Sequence, residues 1–311
     1  MNTAAQAMIG PETLAFAAAG LTVEAVSFEK TRALQIYLPM LRTSYDFAHG
    51  NPNPPLPDSL ERLARVEARI ETLAAPEILD PEAQAAVAND MRALEQEADR
   101  NVVAGAVANP GGFGFVARVR NKDEFIVSIR GTQTPEEWVK NFTAVPNPWN
   151  DIPGFGFVHL GFEQLWGRVR GSVLQGLRGV PVGARITMVG HSLGGAMATL
   201  GAADVRKNLG RDVNVDLWTV GCPRVGLIRF RNNFNNLIPQ NFRVVNQGDI
   251  VPHVPSLLQF FAHVGKEIDV RGRNGNPHSR DAYQDGISKL TGAGVTAVAS
   301  PSIDVLSAAT L

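Results

Sequence analysis

The chain has 311 residues, 44% of them hydrophobic and 19% charged, which is enough length and apolar content to bury one sizeable core. Its 29 Lys and Arg against 30 Asp and Glu leave a formal net charge of −1, so no global field recruits nucleic acid or an anionic membrane. Cys222 is the only cysteine and cannot close an intramolecular disulfide, and no apolar run is long enough for a transmembrane helix.

Residues 1–50 read as a leader and a first helix, with Leu34, Leu38 and Leu41 on one helical face. No Lys or Arg precedes Lys30 and the apolar stretch near Leu14 is interrupted, which does not read as a secretory signal; no compartment is assigned. After the Asn- and Pro-rich loop from His49 to Pro57, the residues Leu60, Leu63, Val66, Ile70 and Leu73 recur among charged neighbours as in an amphipathic helix. Pro76 and Pro81 break the chain, and a second helix is expected from Pro81 to about Asp99. Residues 1–100 thus read as an N-terminal helical extension packed on the core. A partner-binding coiled coil is the rival, and the apolar repeat is short for one.

Past Gly111 and Gly112, Phe113–Val119 and Glu124–Ile129 alternate around Asn121 and Lys122, as two strands joined by a tight turn would. Helices are expected at Glu136–Phe142, Phe162–Leu177 and Leu193–Leu209, and strands at Ile186–Val189, Val213–Val220 and Phe242–Val245. Such alternation builds a mainly parallel sheet covered on both faces, here a core over residues 101–291. A weakly charged tail, residues 292–311, follows.

The sharpest local signal is Gly190-His191-Ser192-Leu193-Gly194, with a buried-strand pattern before it and a helix rich in small residues after it. A strand, a sharp turn with glycine two residues either side of a serine, and a helix form the nucleophile elbow of the α/β-hydrolase fold, which lifts the serine Oγ clear of the sheet. The same glycines in a phosphate-binding loop would be followed by a Lys, and none follows here. A serine hydroxyl needs a base and a carboxylate, which in this fold follow it in the order Ser, Asp or Glu, His. Asp249 lies just past the strand ending at Val245, where a parallel sheet presents ligand-facing groups, and His278 is delivered by the loop Gly272–Pro277. His253, four residues past Asp249 between two prolines, is the rival base, whereas His263 reads as a core histidine and His191 as pointing away. Asp216 and Asp269 are the rival carboxylates. An oxyanion would meet the N–H of Leu193 and that of Thr132, at the end of the strand from Glu124; Thr132 fits a helix N-cap equally well.

These blocks taken together resemble the class 3 lipase family, typified by secreted fungal triacylglycerol lipases. The matching pieces are Ile129-Arg130-Gly131-Thr132 with Trp138 and Asn141, Val158-His159-Leu160-Gly161-Phe162, and Gly190-His191-Ser192-Leu193-Gly194-Gly195-Ala196. They continue with Gly221-Cys222-Pro223-Arg224-Val225-Gly226, Gly248-Asp249-Ile250-Val251-Pro252-His253 and Pro277-His278, in the family's order over residues 113–290. The resemblance implies a triad of Ser192, Asp249 and His278, oxyanion donors at Thr132 and Leu193, and a lid near Pro135–Phe142. It implies hydrolysis of lipid carboxylic esters without metal or organic cofactor, with phospholipase A1, monoacylglycerol lipase and feruloyl-type esterase as alternatives within the class. The departures are the single cysteine, the short interval from Asp249 to His278, and residues before 100 that match no block. From another class, the rival is a catalytically silent interaction protein using residues 58–100.

Overall fold

The computed structural model describes residues 23–26, 29–68, 112–131, 144–290 and 295–299. In chain order the strands are β1 (Val23–Val26), β2 (Leu60–Glu67), β3 (Gly112–Val119), β4 (Glu124–Ile129), β5 (Pro146–Pro148), β6 (Phe157–His159) and β7 (Arg185–His191). They continue as β8 (Asn214–Val220), β9 (Gly226–Leu227), β10 (Asn241–Asn246), β11 (Phe261–Ala262), β12 (Lys266–Val270) and β13 (Val295–Ala299). Helix α1 runs as Lys30–Arg32, a π-helical stretch Ala33–Tyr37, and Leu38–Ala48. The others are α2 (Leu160–Gly176), α3 (Leu193–Asn208), α4 (Ile228–Leu237) and α5 (Arg280–Ser288).

The main sheet has the order β1-β13-β12-β10-β8-β7-β4-β3-β2, and β5, β6, β9 and β11 form a small second sheet. Strands β4, β7, β8, β10 and β12 are parallel, with antiparallel strands at both flanks. Because the parallel strands are added in one direction, right-handed crossovers carry α2, α3 and α4 to a single face. There Phe162, Trp166, Met197, Leu200 and Phe234 pack on the sheet. The opposite face would be bare without α1 and α5, whose Leu38, Leu41, Phe47, Tyr283 and Ile287 cover Phe115, Val189, Trp218 and Val244. The segment at residues 30–48 is therefore one of the two layers that bury the sheet. Among the described residues no helix is long and apolar enough to cross a membrane.

The expected helix beginning at Leu60 is corrected: Leu60–Glu67 is the edge strand β2, paired antiparallel with β3. Leu60 and Val66 are buried while Leu63 is 43% exposed, so the burial follows a period of two that the charged neighbours had obscured. The Arg62 guanidinium lies 4.3 Å from the Phe115 ring centroid and its stem serves as an inward residue, which a helical reading counts as polar surface. Val295–Ala299 in the expected tail adds β13, paired with β1 and β12. The helices expected at Pro81–Asp99 and Glu136–Phe142 lie outside the described residues. Strand β12, helix α4 and the small sheet were not anticipated; their segments are too short or too polar for a periodicity to stand out.

Candidate active site

Strand β7 ends at His191 and α3 begins at Leu193, leaving Ser192 alone in the turn at φ 58°, ψ −131°, a conformation L-residues rarely hold. Space dictates the flanking glycines: a Cβ at Gly190 would run into the Gly194 carbonyl, and one at Gly194 into the carbonyls of Ile129 and Arg130. Leu193 is buried and is the first helical residue, so its N–H is among the four that α3 leaves without an intrahelical partner. Gly131, at the end of β4, presses on the same turn, since a Cβ there would lie 2.7 Å from Ser192 Cβ.

The structure brings Asp249 and His278 together. Asp249 follows β10 through the turn at Gly248, φ 89°. One carboxylate oxygen accepts the Val251 N–H at 3.0 Å; the other accepts the Tyr283 hydroxyl at 2.6 Å and the His278 Nδ1–H at 2.8 Å. A carboxylate only accepts, so Nδ1 is the donor in this bond, and Nε2 is the ring nitrogen left for another partner. His278 Nε2 and Ser192 Oγ are both buried and have no hydrogen-bond partner among the described residues. Orphaned buried polar atoms cost stability, and among the described residues no protein group offsets that cost for either of these two. Burial and the facing Asp249 charge hold the Tyr283 phenol well above its ordinary pKa, so it stays a donor.

The loop that carries His278 is clamped. Asn246 donates through Nδ2 to the Gly272 and Pro277 carbonyls at 3.2 and 2.8 Å and accepts the Gly272 N–H at 2.7 Å. Gly221, at φ 59°, lets the pair sit close: a Cβ there would lie 2.9 Å from His278 Cε1 and 3.0 Å from an Asp249 carboxylate oxygen.

The rivals lie elsewhere. His253 is exposed and its carbonyl accepts from Arg224 at 2.6 Å. His263 donates from Nε2 to the Pro252 carbonyl at 2.6 Å, and burial with Arg243 and Arg224 nearby pushes its pKa well below the usual histidine range. Asp216 pairs with Arg185 at 2.5 Å, and Asp269 is an exposed residue of β12. Thr132 lies outside the described residues. His191 does not merely point away: its Nδ1 meets the Tyr45 hydroxyl at 2.8 Å and its Nε2 the His278 carbonyl at 2.9 Å. Burial first, then the neighbouring His278, lowers its pKa well below the usual range and keeps it neutral. Tyr45, Tyr283, Asn246 and Gly221 were missed as site residues. Only Gly221 carried a sequence signal, through its place in the block before Cys222 and Pro223.

Residues 126–259 match the sequence profile of the class 3 lipases. A secreted mono- and diacylglycerol lipase of Fusarium solani is 32% identical over 181 residues, 57% of this chain and 53% of that protein. A chloroplastic phospholipase A1-Igamma2 of Arabidopsis thaliana is 45% identical over 112 residues, 29% of this chain and 21% of that protein. The chain spans about half the length of the curated relatives it matches first. A solved triacylglycerol lipase, described as having a serine-protease triad at its catalytic centre, superposes with a TM-score of 0.60 at 20% identity, covering 93% of this chain and 92% of that one. That likeness shows the α/β-hydrolase fold.

Proposed function

We propose that this chain, whose residues 126–259 belong to the class 3 lipase family, is a serine carboxylester hydrolase that cleaves lipid esters through an acyl-enzyme on Ser192. The observation that carries the reading is the pair of unpartnered buried atoms, Ser192 Oγ and His278 Nε2, with Asp249 fixing the opposite ring nitrogen of the histidine. As Oγ attacks the ester carbonyl, His278 Nε2 takes its proton, and Asp249 stabilises the imidazolium. The developing oxyanion is met by the N–H groups of Leu193 and Thr132. His278 then returns the proton to the departing alkoxide, leaving the acyl group on Ser192. A water deprotonated by His278 attacks the acyl carbon, and Ser192 regains its hydrogen as the fatty acid leaves.

Lipid substrates are favoured by the surface beyond Asp249. From Ile250 to Phe261 the chain carries no Lys, Arg, Asp or Glu, and Ile250, Leu257, Leu258 and Phe260 are 57%, 63%, 90% and 69% exposed. Large exposed apolar side chains grouped beside a site suit acyl chains better than a small polar ester. We rank mono- and diacylglycerols first among substrates because the name of the Fusarium relative carries them. The Arabidopsis relative makes phospholipase A1 activity the second reading. Because Ser192 is fully buried, substrate entry requires a displacement of the chain around it.

The test is hydrolysis of p-nitrophenyl esters of increasing chain length beside mono-, di- and triacylglycerols and phosphatidylcholine, with Ser192→Ala as control. Turnover of the acylglycerols that the variant lacks supports the reading; equal turnover by Ser192→Ala overturns it.

A further inference from the structure

We infer that Tyr45, on α1 and outside the segment that matches the lipase profile, is a positioning residue for the proposed reaction: its hydroxyl joins the end of β4 to the nucleophile turn and, through His191, sets the backbone that carries His278. The inference rests on the catalytic reading above.

The direction of every hydrogen bond in this chain of groups is fixed. The His278 carbonyl can only accept, so His191 Nε2 carries the proton it donates at 2.9 Å. His191 is neutral, so its Nδ1 is an acceptor, and the Tyr45 hydroxyl donates to it at 2.8 Å. The Tyr45 oxygen in turn accepts the Gly131 N–H at 3.0 Å. Tyr45 is 3% exposed, and the Arg280 guanidinium stands 3.8 Å from its ring centroid, holding the ring from the side of α5. One hydroxyl thus ties together the strand that ends beside Ser192, the residue preceding Ser192, and the residue proposed as base.

Removing it leaves two buried groups, the Gly131 N–H and His191 Nδ1, without their partner. It also frees His191 to take the other tautomer, whose Nε2 lone pair would face the His278 carbonyl and push that backbone away. Tyr45 bonds only to protein groups, so the loss falls on the rate of the chemical step and not on substrate binding. A misplacement of reacting groups by about 1 Å costs roughly 10²-fold in rate.

The experiment compares wild type, Tyr45→Phe, His191→Gln and the double variant on a soluble short-chain ester, with thermal unfolding and ¹⁵N-histidine NMR on the same samples. The expected result is a kcat lowered roughly ten- to a hundredfold in Tyr45→Phe with KM within about twofold. The double variant should lose little more than the worse single one, because both interrupt one path. The NMR should show His191 protonated on Nε2 in wild type, with the His191 and His278 signals both displaced in Tyr45→Phe. Full kcat per folded molecule in Tyr45→Phe, or His191 protonated on Nδ1, overturns the inference. If wild type hydrolyses no ester, the catalytic reading fails by itself, and unmoved His278 signals in Tyr45→Phe would still overturn the bridge. If Tyr45→Phe does not fold, the kcat and KM of His191→Gln decide by the same criterion.

Discussion

The segment Arg185–Asn208 and the segment Lys30–Glu67 both reach the proposed centre, by opposite routes. In the first, meaning is local: the turn at Ser192 requires glycine at 190 and 194 because Cβ atoms there would strike neighbouring carbonyls, so the sequence itself displays the constraint. In the second, meaning is tertiary. Tyr45 acquires its partners 86 and 146 residues away, and β2 becomes a strand only because β3 pairs with it. A local turn advertises itself in residue types, whereas a layer that closes the far face of a sheet is written in ordinary apolar and aromatic residues.

The comparison breaks first at the base. His278→Ala should lower kcat by about 10⁴-fold or more with the melting temperature close to native, while exposed His253→Ala should lose less than about tenfold. A dead His253→Ala with an active His278→Ala would show that the turn had been read with the wrong partner.

A smaller effect tests the first region by pH, through His191. His191 and His263 are buried and their pKa values are pushed well below 6.5, so both are neutral in the folded state. Below pH 6.5 the unfolded chain takes up protons that the folded one refuses. Stability should therefore be full above pH 6.5 and fall as the pH drops, by up to about 1.4 kcal/mol per pH unit for each histidine. Denaturant unfolding from pH 7.5 to 5 checks this, and His191→Gln should flatten the slope by one histidine's share. An unchanged slope in that variant would mean His191 is not held neutral.

The smallest effect tests the strand. Val66→Ala should cost about 2 kcal/mol, whereas Leu63→Lys, at 43% exposure, should stay within about 0.5 kcal/mol. Equal losses would favour the helical reading, in which both residues share one buried face.

The parallel core was legible because β4, β7 and β8 are separated by the long helices α2 and α3 and carry mostly apolar residues. Ser192, Asp249 and His278 could be named because the fold prescribes their order and because Asp249 follows a recognisable strand end. The residues that support them could not. Tyr283 lies on α5, and no local pattern displays that its hydroxyl donates to Asp249 at 2.6 Å. Asn246 ends β10, and its side-chain amide binds Gly272 and Pro277, partners 26 and 31 residues away. Leu60–Glu67 was misread because LERLARVE satisfies both a period of two and a period near 3.6, and only the pairing with β3 decides between them.

The central claim is that Ser192 is a nucleophile activated by His278. The most direct measurement is reaction of the protein with a p-nitrophenyl alkylphosphonate, following p-nitrophenol release and locating the adduct by peptide mass spectrometry. The account predicts a single adduct on Ser192, its absence in Ser192→Ala, and labelling slowed by roughly 10³-fold or more in His278→Ala. An adduct on another residue, or Ser192 labelled at full rate in His278→Ala, would contradict it.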